Sequence, residues 1–391
     1  GHKVGLVGRN GTGKTTLLKL IIGEYSPEGG SITLPSTATI GHVAQEAPGE
    51  STSLIDWVLS AHRERASLLE EAETATDPDR IAEIQIRLTD IDAHTAPSRA
   101  AAILAGLGFD EAAQRRSCSE FSGGWRMRVA LAAVLFLEPE ILLLDEPTNY
   151  LDLEGSLWLE SYLRIYPHTV IIVSHDRNLL NTAVRSILHL NQGRLTLFTG
   201  GYDDFENAYR ERQEQQLKLK KKQDAERKRI ESFVERFRAK ATKATQAQSR
   251  LKTLARMKPI AAQADDAVVP FSFPAPAKPL ASPLVQLEAG SVGYEPGHPV
   301  LQNLDLRIDN DDRIALLGQN GNGKSTFAKL LSGRLSPMEG RYNCHRHVTF
   351  GYFAQHQLDE LAPTKTPMYY ITELMPEASD AQRRARLGAF G

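Results

Sequence analysis

Gly8-Arg9-Asn10-Gly11-Thr12-Gly13-Lys14-Thr15 stands near the start of this chain, and Gly318-Gln319-Asn320-Gly321-Asn322-Gly323-Lys324-Ser325 repeats it 310 positions later. Both fit G-x-x-x-x-G-K-[ST], the loop that wraps the phosphates of a nucleoside triphosphate. Its glycines let backbone N–H groups close on the phosphates with no Cβ in the way. Its lysine offsets β/γ-phosphate charge, and its Thr or Ser hydroxyl ligates Mg²⁺. The expected nucleotide contacts are therefore Gly8, Asn10, Gly11, Gly13, Lys14, Thr15 and Thr16 in the first copy. In the second they are Gly318, Asn320, Gly321, Gly323, Lys324, Ser325 and Thr326. Each copy follows an apolar strand-like run, Val4–Val7 or Ile314–Leu317, and opens a helix-like run, Thr16–Ile22 or Thr326–Leu331. A Gly-rich turn can match such a pattern by chance once. Two copies with matched flanks set the fold as α/β of the P-loop type.

At 391 residues the chain has room for two or three domains. A composition 41% hydrophobic and 24% charged is that of a soluble globular protein. The longest apolar run, Val129–Leu137, falls well short of the ~20 residues of a membrane helix and reads as a buried helix. No membrane partner and no signal peptide are expected. Cys118 and Cys344 sit in no ligand-like cluster, and a reducing cytoplasm is the simplest location.

Residues 1–200 read as one α/β domain. The runs Val4–Val7, Ile40–Val43, Ile141–Leu144, Thr169–Val173 and Ser186–Leu190 alternate with helical patterns, which favours a largely parallel sheet. Leu54–Ala105 is rich in Ala, Glu, Arg and Leu and reads as a helical insertion, interrupted near Asp77-Pro78 and Ala96-Pro97. From Tyr202 to Lys258 there is neither Gly nor Pro, so residues 201–260 are expected to be helical, as one rod or as a hairpin. Residues 261–283, with five prolines, read as an extended connector. A second α/β pattern occupies 284–391 and stops mid-pattern.

Ile141–Leu144 ends in Asp145-Glu146, and such a strand delivers its last side chains to the nucleotide edge of an open sheet. Asp145 would hold Mg²⁺, and Glu146 would orient the attacking water. Ser122-Gly123-Gly124 precedes a helical run, where free N–H groups and the helix dipole attract an anion, although by itself it is more often a turn. His175 follows the strand Val170–Val173 and can touch a γ-phosphate, although an isolated strand-end His is more often structural. Gln45 and Gln355 each follow a strand-like run and can reach Mg²⁺ or the water.

In this order, the residues resemble those of ATP-binding cassette (ABC) ATPases. Two cassettes joined by a charged helical segment resemble the ABC-F family. The specific marks are Phe121–Arg128 (Phe-Ser-Gly-Gly-Trp-Arg-Met-Arg), Leu144–Asp152, Phe237–Ala244 and Gln246–Arg250. The resemblance implies two cassettes joined by an antiparallel helical hairpin, with the second cassette truncated. It implies a monomer whose cassettes pair, each of two ATPs touching one cassette's phosphate loop and the other's Ser-Gly-Gly signature. It implies Thr15, Gln45, Asp145, Ser325 and Gln355 as Mg²⁺ ligands. Glu146 and His175 are implied as the catalytic pair, and Tyr294 as the aromatic that stacks on adenine. It implies a ribosome partner: the insertion faces the ribosome, and the hairpin reaches the P-site tRNA from the exit site. The family's usual His in the run after Asp145-Glu146 is Tyr150 here. The strand and aromatic expected before Gly1 are absent, as are the second signature, acid pair and His.

Charge points the same way. The chain carries a net −2, yet residues 210–258 hold 17 Lys or Arg against 6 Asp or Glu, a net +11. Lys220, Lys221, Lys222, Arg227, Arg229, Arg236, Arg238, Lys240 and Lys243 are the expected contacts to ribosomal RNA and tRNA phosphates. On charge alone, a solvated coiled-coil face explains the run equally well. An ABC ATPase acting on DNA and the energising subunit of a transporter are the alternative functions. A transporter subunit has no need of this basic segment.

Overall fold

A computed structural model describes residues 1–36, 38–43, 51–237, 249, 252, 254, 280–353, 361–362 and 364–389. The chain divides into two units, Gly1–Ala262 and Gln263–Gly391.

In the first unit six strands form one sheet: Lys3–Val7 (β1), Ile40–His42 (β2), Ile141–Asp145 (β3), Thr169–Val173 (β4), Ser186–Asn191 (β5) and Arg194–Thr199 (β6). Their order is β2-β3-β4-β1-β5-β6. All neighbours pair in parallel except β5 and β6. Helix Lys14–Ile22 (α1) covers one face, where its Leu18 packs with Leu6, Leu143, Val173 and Leu190. The alternate positions Val7, Leu142, Leu144, Val170, Ile172 and Ile187 belong to the larger core on the other face. Burial on both faces is why these strands read as unbroken Val/Ile/Leu runs.

Between β2 and β3 the chain is helical: Leu54–Ser60 (α2), Arg63–Thr74 (α3), Pro78–Asp90 (α4), Ala96–Gly106 (α5), the single turn Glu111–Gln114 (α6) and Gly123–Leu137 (α7). Asp77 and Pro78 mark a helix start, because the Asp77 side chain caps α4 at Asp79 N–H and Pro78 occupies the first turn. The run Val129–Leu137 lies in α7 and is mostly buried. Helices Leu153–Ile165 (α8) and Arg177–Thr182 (α9) follow β3 and β4.

Strand β6 was not anticipated from its own residues. Its signal was the pair Gln192-Gly193, both in left-handed conformation (φ 48° and 71°), which closes a two-residue hairpin between β5 and β6. Helix Tyr202–Phe237 (α10) then runs for 36 residues, about 54 Å. Its root is bound to the sheet. Phe205 meets Phe198 at 5.0 Å and His189 at 5.1 Å, and Arg212 lies 4.6 Å over the Phe198 ring. Ser249, Lys252 and Leu254 are helical too. Whether rod or hairpin joins them is decided at positions outside the described residues.

The second unit is built on a three-stranded antiparallel sheet, order β8-β7-β9, from Val285–Glu295 (β7), His298–Ile308 (β8) and Glu339–Cys344 (β9). The phosphate-loop helix Lys324–Leu331 packs Leu330 against Leu287 and Val292 of β7. The strand expected at Ile314–Leu317 does not form among the described residues, and Leu317 is 82% exposed. The reason is pairing. The equivalent strand β1 is held between β4 and β5, and the second unit has no described strand in either place. An apolar run without ladder partners gains neither hydrogen bonds nor burial.

Candidate nucleotide site

Parallel pairing sends the C-terminal ends of β1, β3 and β4 to one edge of the sheet. The register is direct: Val173 of β4 stands opposite Leu6 on one side and Asp145 on the other. Segments far apart in sequence therefore meet in a cleft of about 580 Å³. The loop contributes Asn10, Gly11, Gly13, Lys14, Thr15 and Thr16, and the strand ends contribute Asp145, Glu146, Asn149, Val173 and His175. Asn149 and Val173 were not singled out from the sequence, although Asn149 stands inside the motif run Leu144–Asp152.

Gly11 and Gly13 adopt φ of 78° and 99°, and their counterparts Gly321 and Gly323 adopt 92° and 80°. The left-handed turns are thus repeated in both copies and require glycine. Gly8 is needed for another reason: a Cβ there would lie 2.5 Å from the Leu190 carbonyl oxygen of β5. Lys14 Nζ donates to the carbonyls of Gly8 (2.8 Å) and Arg9 (3.0 Å). Lys324 Nζ does the same to Gly318 and Gln319, the latter at 2.7 Å. Each ammonium is held over its own loop, where phosphates would lie.

The Thr15 hydroxyl donates to Asp145 Oδ2 at 2.8 Å. A hydroxyl and a carboxylate oxygen converging on one point are the hard donors that suit Mg²⁺. Ser325 takes the equivalent place in the helix Lys324–Leu331. Gln45 and Gln355 lie outside the described residues.

Glu146 is a non-glycine residue at φ 49°. Its N–H extends the β3–β4 ladder by donating to the Val173 carbonyl at 2.8 Å. Its Oε2 accepts from the His175 backbone N–H at 3.3 Å. Among the described residues Oε1 is buried without a hydrogen bond. His175 Nε2 lies 3.4 Å from it, outside hydrogen-bonding geometry. Burial holds the Glu146 carboxyl above the ordinary glutamate range, opposed by His175 and Lys14 and reinforced by Asp145. His175 is mostly exposed at the cleft.

Two residues beyond His175, Arg177 begins α9 and donates to Asp203 (2.9 Å) and Glu206 (2.7 Å) of α10. The strand-end loop of the cleft is thereby tied to the root of the long helix.

Ser122, Gly123 and Gly124 are not among the residues of this cleft. They form the N-terminus of α7, with the Ser122 side chain making no capping bond. That leaves the first-turn N–H groups available to an anion. Six residues on, Arg128 is 1% exposed and donates to the carbonyls of Leu107 and Tyr150 and to the Asp152 carboxylate. In the sequence Arg128 is one letter of a motif, with no role of its own. A charged residue at the head of the apolar run Val129–Leu137 was the signal.

Tyr294 is 56% exposed on β7, beside the second loop's helix. Its hydroxyl accepts from Thr326 (3.3 Å) and Lys329 (3.4 Å), and the Lys329 ammonium lies 5.2 Å from the ring centre. These donors, Thr326 first, lower the Tyr294 phenol below its ordinary value. An exposed ring so placed suits stacking on a base.

Along α10, Lys221, Lys222 and Arg229 are exposed and Lys220 is partly covered. Arg227, also exposed, pairs with Glu231 at 2.9 Å, one turn on. Arg236 belongs to α10. Arg238, Lys240 and Lys243 lie outside the described residues.

Comparison with known proteins agrees with this geometry. A family model described as "ABC transporter" matches residues 1–149 and 301–386, and a second model with that description matches 188–272. The chain is 43% identical over 394 residues to "Probable ATP-binding protein YheS" of Escherichia coli (strain K12), covering 100% of this chain and 62% of that protein. It is 41% identical over 417 residues to "ABC transporter F family member 3" of Arabidopsis thaliana, covering 100% and 58%. It is 38% identical over 402 residues to "ATP-binding cassette sub-family F member 3" of Homo sapiens, covering 100% and 56%. The chain thus spans less than two thirds of these relatives' lengths. Among the described residues no helix is long and apolar enough to cross a membrane. Two phosphate loops, the strand-end acids and a match running along the whole chain have one reading in common: this chain belongs to the ABC-F family of ATP-binding cassette proteins.

Proposed function

We propose that the protein hydrolyses ATP and uses that cycle to engage and leave the ribosome as a cytoplasmic translation factor. The observation that carries the ATPase reading is the convergence of Lys14, Thr15, Asp145, Glu146 and His175 on one cleft. Lys14 exchanges its bonds to the Gly8 and Arg9 carbonyls for β- and γ-phosphate oxygens. Thr15 and Asp145 fit a Mg²⁺ ion, which when bound neutralises charge on those oxygens. Glu146 Oε1, buried without a hydrogen bond among the described residues, is the acceptor that orients a water toward the γ-phosphorus. His175, beside that oxygen, senses the γ-phosphate. Water oxygen bonds to phosphorus as the bond to the bridging β–γ oxygen breaks, and ADP and phosphate leave. Tyr294 stacks on the adenine held at the second loop.

The ribosome reading rests on family membership and on the net +11 of residues 210–258, placed between the two phosphate loops. These cations contact phosphates of ribosomal RNA and P-site tRNA. The test is cosedimentation of the natural full-length protein carrying Glu146→Gln, with ATP and Mg²⁺. Enrichment on ribosomes is expected, and a Lys14→Ala/Lys324→Ala protein should lose it. No enrichment would sink the translation reading, and retention on DNA instead would move the basic segment to the DNA alternative.

A further inference from the structure

We infer that Arg128 is a positioning residue for hydrolysis: it clamps the segment Glu146–Asp152 onto α7 and so holds Glu146 in its working conformation. The inference rests on the nucleotide-site reading above for its catalytic consequence, but the clamp itself stands on contacts.

Glu146 sits at φ 49°, a left-handed conformation that a non-glycine residue keeps only where its surroundings impose it. Upstream it is fixed by the ladder bond to Val173. Downstream the chain turns twice, with Asn149 N–H donating to Glu146 O and Leu151 N–H to Thr148 O. The outer end of the segment is also tied to α7. Arg128 Nε donates to Tyr150 O at 2.7 Å and Nη2 to Asp152 Oδ2 at 3.3 Å, while Nη1 reaches back to Leu107 O at 2.9 Å. Asp152 in turn caps α8 at Gly155 N–H (3.0 Å).

The guanidinium is placed with care. It lies 4.3 Å from the Trp125 ring centre, and a Cβ on Gly108 would come within 2.9 Å of Nη1. Gly108 itself is left-handed at φ 95°. Three acceptors in three directions need the planar fork of arginine, and a lysine ammonium at the same charge cannot span them. The Asp152 side chain lies beside it, 7% exposed. A structural ion pair would explain the burial. It would not explain why one donor goes to the backbone carbonyl of Tyr150, in the segment that begins at Glu146.

The test uses the natural full-length protein with Arg128→Lys, and Asp152→Asn as a second variant that keeps the α8 cap. Two readouts are taken. Amide hydrogen exchange of Glu146–Asp152 should speed up by about tenfold or more, while α8 and β4 keep their protection. At saturating ATP, kcat should fall by about tenfold or more, while affinity for a non-hydrolysable ATP analogue stays within about twofold. Unchanged exchange in both variants overturns the clamp. Faster exchange with kcat unchanged overturns the positioning role. A loss of nucleotide affinity and melting temperature in step with kcat also overturns it, because that is what general destabilisation does. If the unsubstituted protein turns over no ATP, the ATPase reading fails, and exchange still decides the clamp.

Discussion

The Thr15 hydroxyl and Asp145 Oδ2, 130 positions apart in the chain, are joined by a 2.8 Å hydrogen bond. The hydroxyl hydrogen goes to the carboxylate, so the Thr15 oxygen keeps lone pairs that would hold Mg²⁺ with Asp145 beside it, directly or through water. Asp145→Asn keeps the shape and an acceptor for Thr15 but removes the charge that favours the cation. Mg²⁺-dependent ATP affinity should fall by about 10–100-fold, the range seen when carboxylate support of a metal is removed. ATP affinity in excess chelator should stay the same. Titration calorimetry with and without Mg²⁺ separates the two, and an equal loss in both would remove Asp145 from the metal site.

Glu146 gives a pH signature. Burial raises its carboxyl above the ordinary value of 4.5. The native state then holds a proton that the unfolded state has released. Stability contributed by that proton is present below the unfolded value and is lost as pH rises through the raised native one. Above both, the protein carries a buried carboxylate at a cost, offset in part by the His175 backbone N–H and by Lys14. Glu146→Gln does not titrate and should melt higher than the parent at about pH 8, by roughly 2–4 °C for each kcal/mol relieved. The gap should close as pH falls through the native Glu146 value. A melting-temperature difference that stays constant across that range would contradict the account.

Legibility followed locality. The phosphate loops, Asp145-Glu146 and His175 were readable because strand-end motifs are contiguous in sequence and a parallel sheet brings strand ends together. The core strands were readable because each needs an apolar run. What stayed hidden depends on partners. Ile314–Leu317 carries the same strand-like pattern as Val4–Val7, yet it forms no strand, and among the described residues no strand pairs with it. Arg227 has the look of a free cation in the sequence, and Glu231 beside it changes that. Arg128 is one basic residue among several in its motif, and only its three acceptors on separate segments reveal a clamp.

Gly106 is a second hidden constraint, and propensity misjudges it. It is the last residue of α5, where Ala is the better helix former by about 1 kcal/mol. A Cβ there would lie 2.0 Å from Trp158 Cε2 and 2.2 Å from Nε1. Trp158 cannot easily retreat, since its ring stacks on Tyr162 with centroids 5.1 Å apart. Overpacking of this kind costs about 1–3 kcal/mol, and a contact this short belongs at the upper end, so packing wins. Gly106→Ala should lower the melting temperature by several degrees. Adding Trp158→Leu should restore part of the loss, and a stabilised single variant would refute the clash.

The basic helix allows a sharper test than its total charge, because its cations are not equivalent. Lys221 and Lys222 are exposed, whereas Arg227 is committed to Glu231 at 2.9 Å. Each phosphate neutralised releases counterions and adds about 0.7–0.9 to the slope of log affinity against log salt. Lys221→Ala/Lys222→Ala should therefore weaken RNA binding at low salt and flatten that slope by about 0.7–0.9 for each lysine that meets a phosphate. Arg227→Ala should cost less, because the bound state must first give up an exposed ion pair worth up to about 1 kcal/mol. Glu231→Gln, which frees Arg227 and removes a negative charge, should strengthen binding and steepen the slope. Fluorescence anisotropy with a labelled RNA across a salt series measures all three. If Arg227→Ala and the double lysine variant flatten the slope equally per residue, the Glu231 pairing does not persist in solution.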